Sequence, residues 1–105
     1  MNEERIAKLK RLLDQDPGDS FTRYALGLEF AGKDETRLAI SFFQEVIRRD
    51  PTYVPAYQQL GYAFQKLERR NDAVEVLRRG IEVATKLNDM HARNEMEEAL
   101  NELEP

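Results

Sequence analysis

The amino-acid sequence predicts an all-α protein of about six helices stacked as hairpins. An internal offset of 34 residues relates the two halves of the chain. Leu26-Gly27 recurs as Leu60-Gly61, Phe30 as Phe64, Ala39 as Ala73, Phe43 as Leu77 and Ile47 as Ile81. Within each unit the apolar residues fall three and four apart, the spacing of one helix face, as in Ile6, Leu9 and Leu13. Only 5 Gly and 4 Pro punctuate the 105 residues, so long helices are permitted.

The first helix is expected at about Glu3–Asp14. Ile6, Leu9 and Leu13 match Ile40, Phe43 and Ile47 at the same offset, and Asp16-Pro17 matches Asp50-Pro51. This helix therefore reads as the second half of a unit, spanning 1–16, whose first half is missing. A first full unit, 17–50, holds helices at about Ser20–Ala31 and Asp34–Arg49, with a turn at Gly32-Lys33-Asp34. Pro51 cannot continue a helix and restricts Asp50 before it, so the second of these helices ends there. The next unit, 51–88, holds helices at about Val54–Leu67 and Arg70–Leu87. Pro55 is tolerated in the opening turn. Asn88 suits a left-handed helix end and Asp89 suits a cap for the last helix, Met90–Leu103. In that final segment, 89–105, Ala92, Met96, Ala99 and Leu103 form one stripe joined by Leu100, while most of its glutamates face water. It reads as a cap over the last apolar face of a single domain.

The pattern resembles the tetratricopeptide repeat, a 34-residue helix–turn–helix unit. The residues carrying the resemblance are Leu26, Gly27, Phe30, Ala39, Phe43 and Pro51 in the first unit. In the second they are Tyr57, Leu60, Gly61, Phe64, Ala73, Leu77 and Gly80. Arg23 departs from the opening aromatic of the motif and Val46 from its second small residue. Thr85 replaces the closing proline, so the helix there is expected to run on. The interior glycines would let the partner helix approach closely, with Ala39 and Ala73 as the small residues facing them, at a cost of ~1 kcal/mol each relative to alanine.

The resemblance implies a short solenoid whose concave groove takes an extended or helical peptide. The residues it assigns to that groove are Phe21, Tyr24, Leu28, Pro55, Gln58, Tyr62, Gln65 and Lys66. The alternative for Phe21 and Leu28 is packing against the first or last helix. Thr52, Tyr53 and Asp19 flank the groove mouth. Some relatives grip a terminal carboxylate with Lys, Arg and Asn. Here the equivalent positions carry Tyr24, Leu28, Gln58 and Gln59, so acidic chaperone tails are not the expected ligand.

Composition narrows the remaining functions. The net charge is −4, and the basic doublets such as Arg48-Arg49 are scattered among acids, which disfavours nucleic acid. No cysteine is present, so thiolate chemistry is excluded. Residues Met1 to Lys10 lack the apolar core of a signal peptide, and no run approaches the ~20 apolar residues of a membrane span. A cytoplasmic protein with no membrane partner and no cofactor is expected. His91 and Glu95 stand four apart with Asp89 near, a spacing open to a metal ion but also to a plain surface turn. No nucleophile–base pair is visible. The sequence thus reads as a non-enzymatic scaffold or adaptor for a protein or peptide. A homodimer that buries the groove or the last helix is the alternative, and a metal or enzymatic role around His91 is more distant.

Overall fold

Asp19 and Asp89 each stand just before a helix, where a short side-chain oxygen satisfies amides that have no intrahelical partner. Asp19 accepts from the Thr22 amide at 3.2 Å and from the Thr22 hydroxyl at 2.6 Å, and Asp89 accepts from the Ala92 amide at 3.2 Å. The computed structural model describes residues 2–104. It contains α1 (Asn2–Gln15), α2 (Ser20–Gly32), α3 (Thr36–Arg49), α4 (Val54–Lys66), α5 (Arg70–Lys86) and α6 (Met90–Leu103), with no strand among the described residues.

The helix ends follow one scheme. Asp34, Glu68 and Asn88 adopt positive φ of 66°, 59° and 62°. Beyond each, an amide reaches back five residues: Glu35 to Phe30, Arg69 to Phe64 and Asp89 to Ala84, at 2.8–2.9 Å. This is the closure that a left-handed residue permits after a helix. The expected left-handed Asn88 is found. In the α2–α3 turn, however, Gly32 stays helical and Asp34 makes the reversal, so α3 begins at Thr36 rather than Asp34. Proline placement agrees with expectation: Pro55 lies in the first turn of α4, and α3 stops at Arg49 before Pro51.

Each helix packs on the next in the chain, and the stack measures 42 × 28 × 20 Å. The core runs along it from Ile6 and Leu9 through Leu26, Phe43, Val46, Tyr57 and Leu77 to Met96. The interior glycines have a different partner from the one the offset suggested. A Cβ at Gly27 would lie 2.5 Å from Phe43 Cε1, and one at Gly61 would lie 2.6 Å from Leu77 Cδ2. The glycines make room for the large residue of the facing helix, while Ala39 and Ala73 are buried elsewhere in the same contact. Gly80 serves the next junction, where a Cβ would meet Met96 Sδ at 2.6 Å and Tyr57 Cβ at 2.7 Å.

As Thr85 suggested, α5 runs on: it has 17 residues where α3 has 14. The consequence is a change of register. Ala92, Met96 and Ala99 are buried as Ala56, Leu60 and Ala63 are, but 36 residues later rather than 34.

Candidate functional site

The offsets of 34 and 36 residues give α2, α4 and α6 equivalent positions in rows, and α4 touches α6 directly. One row is Phe21, Pro55 and His91. A second is Tyr24, Gln58 and Asn94. A third is Leu28, Tyr62 and Glu98. The residues assigned to the groove thus fall on one face, at α2 and α4, and α6 extends that face by a third strip.

Phe21 is 67% exposed, Leu28 38% and Tyr62 39%. Phe21 and Leu28 are therefore not consumed by packing against α1 or α6. Tyr24 is half-buried, its ring 5.3 Å from Tyr53 and 5.8 Å from Phe43, centroid to centroid. Burial raises the phenol pKa of Tyr24, with Tyr53 adding to it, and burial likewise raises that of Tyr53. Both phenols are neutral donors at ordinary pH. Tyr24 supports the wall more than it presents itself, whereas Tyr62 stands clear of it.

The polar groups are partly committed. The Gln58 amide donates to the Tyr62 hydroxyl at 2.8 Å and to Glu95 at 3.1 Å. Lys66 is held in an ion pair with Asp34 of the α2–α3 turn. Gln65 is partly exposed and Pro55 exposed. Where the end of α2, the start of α3 and α4 meet, a depression of about 210 Å³ is lined by Ala31, Thr36, Gln59, Tyr62, Ala63 and Lys66. Of the residues expected at the mouth, Asp19 is occupied as a helix cap and Tyr53 packs its ring at a tilt against Tyr24.

His91 lies on the surface with Nε2 3.5 Å from Glu95, and no group of three or more His, Cys, Asp or Glu side chains with metal-binding geometry occurs among the described residues. No helix among them is long and apolar enough to cross a membrane.

The family model for the tetratricopeptide repeat matches residues 54–87. A tetratricopeptide repeat domain protein from Salinibacter ruber is 37% identical, with a TM-score of 0.80, covering 85% of this chain and 90% of that one. The chain belongs to the tetratricopeptide repeat family. Its fold also matches the TPR2B domain of yeast Sti1, solved as a complex with pHsp70, at 17% identity and a TM-score of 0.88, over 93% of this chain and 78% of that one. The Yersinia enterocolitica type III secretion translocator chaperone SycD matches at 16% identity and a TM-score of 0.89, over 97% and 71% respectively. No curated protein matches.

Within this tetratricopeptide stack, Asn94, Glu98 and Glu102 of α6 join the face without having been picked out by the 34-residue offset. The two-residue shift in register hides them. The signal that finds them is the buried triplet Ala92, Met96 and Ala99, which fixes the turn of α6.

Proposed function

We propose that this protein is a non-enzymatic interaction module that takes a peptide or protein segment on the concave face of α2, α4 and α6. The supporting observation is the set of exposed large apolar side chains, Phe21, Leu28 and Tyr62, on helices whose opposite faces are buried. Exposed aromatics held by a rigid scaffold supply contact area at small entropic cost, which is why they recur as binding hot spots. The solved Sti1 domain, as a complex with pHsp70, supports a protein ligand for a fold of this kind. In this reading α1 closes one end of two full units and α6 closes the other.

The test uses a random phage-displayed peptide library panned on the immobilised protein. Enriched peptides are expected to bind the wild type and to lose ~2 kcal/mol against Phe21→Ala with Tyr62→Ala. Both side chains are exposed, so the variant should melt near the wild type. Tyr24 is left intact because its ring braces Phe43. A second reading, self-association through the same side chains, rests on the exposure of Phe21. Light scattering separates the two: a dimer abolished by the same variant would replace the peptide groove.

A further inference from the structure

The face changes character from one end to the other. On α2 the outward positions are Phe21 and Leu28. On α4 they are Tyr62 and Gln65. On α6 the positions equivalent to Leu28 and Tyr62, and to Lys66, are Glu98 and Glu102, both exposed. The one Lys of the α4 strip is neutralised by Asp34. Glu95 is shared by His91 and Gln58. Among the described residues, no Lys or Arg pairs with Glu98 or Glu102. The nearby cation Arg93 faces Glu97 instead, at 3.2 Å. The groove is thus apolar at one side, amide-lined in the middle and negative at the other.

We infer that the occupant of this face is a peptide segment carrying an apolar anchor for Phe21 and Leu28 and a Lys or Arg for Glu98 and Glu102. This rests on the groove reading given above and names the chemistry of its ligand. The anchor and the cation must span two helix-to-helix steps of about 8–10 Å each. At about 3.4 Å per extended residue, that sets them about five or six residues apart. The Gln65 amide lies between, together with the carbonyl oxygen of Gln58, whose nitrogen already donates to Tyr62 and Glu95; both are open to the peptide backbone. An acidic segment is disfavoured at the α6 end because like charges juxtaposed at an interface are costly.

The test takes peptides enriched from the phage library and measures their binding by fluorescence polarisation, each with its Lys or Arg replaced by Gln and by Glu. The expected peptides carry a cation about five or six residues from a Leu, Phe or Met. Replacing that cation by Glu should weaken binding about tenfold. Glu98→Lys with Glu102→Lys should invert the preference, so that the Glu peptide binds tighter. Enriched peptides that need Phe21 and Tyr62 yet ignore the charge, or prefer an acid there, would overturn this inference and leave the groove reading intact. A library that yields no binder, from a protein that scatters as a dimer, would overturn both.

Discussion

The helix pairs α2–α3 and α4–α5 solve the same packing problem with different residues. In the second pair Tyr57 is 1% exposed and its hydroxyl donates to the Pro51 carbonyl at 2.7 Å, tying the helix to the turn before it. The guanidinium of Arg79 lies 5.6 Å from the centre of that ring. In the first pair the equivalent residues are Arg23 and Glu45. Arg23 is 6% exposed, and its Nη1 is buried without a hydrogen-bond partner. The Pro17 carbonyl is approached by Arg49 instead, at 3.4 Å. Burial lowers the Arg23 pKa, with Arg49 adding to the effect, while the charges of Glu45 and then Asp19 oppose it. The position demands a long side chain that fills the hairpin and carries a donor at its tip. A tyrosine meets both demands. An arginine fills the volume but brings more donors than the site can use.

The sharpest way to break this comparison is Tyr57→Ala. Loss of a fully buried ring and its bond to Pro51 is expected to cost ~3–5 kcal/mol, read as a fall in denaturation midpoint. A loss below ~1 kcal/mol would mean that the ring is not the centre of the second hairpin. Next comes Gly61→Leu, where a side chain would collide with Leu77. Overpacking there should cost ~3 kcal/mol, and an unchanged melting temperature would refute the close approach. Arg23→Tyr runs the other way. Copying the second pair into the first should stabilise by ~1–2 kcal/mol by removing the orphan donor. A destabilised variant would show that Glu45 and Asp19 need the cation.

The smallest effect separates the two caps. Asp19 caps α2, whereas Tyr53, at the same position before α4, makes no cap bond. Asp19→Ala should cost ~1 kcal/mol at neutral pH. The Thr22 hydroxyl, and then the Thr22 amide, hold the Asp19 carboxyl below its ordinary range. Its contribution is therefore present above the unfolded-state pKa and is lost as pH falls through the folded one. The stability difference between wild type and variant should shrink on acidification, and a difference constant down to low pH would place the effect elsewhere.

The architecture was readable in the sequence because repeat packing is written in residue type at fixed spacing. Gly27 and Gly61 announced a close approach, and Thr85 announced the longer α5. The partner of each glycine was not readable, since periodicity gives the face of a helix but not how deep Phe43 or Leu77 reaches across it. The turn at Gly32-Lys33-Asp34 was readable, but not which of its residues reverses the chain; the positive φ of Asp34 and the amide of Glu35 reaching Phe30 show that. At the candidate site, Phe21, Leu28 and Tyr62 were named because the family resemblance assigns their helix positions to a groove, and all three are exposed. The α6 strip was not, because a helix three residues longer displaces every later equivalence.

The first helix rests chiefly on one neighbour, α2, through Ile6 and Leu9 and the Arg5–Glu29 ion pair at 2.8 Å, whereas α5 is clasped by both α4 and α6. In a linear stack stability accrues from such nearest-neighbour contacts, so openings begin where neighbours are fewest. Amide protons of α1 should therefore exchange with solvent ahead of those of α5. A molecule whose α1 has lifted away bares the flank of α2 around Leu26 and Phe30, an adhesive edge that the α1 of another copy fits as well as its own. At high protein concentration this end of the stack is the place where helix-exchanged dimers, built from traded first helices, would originate.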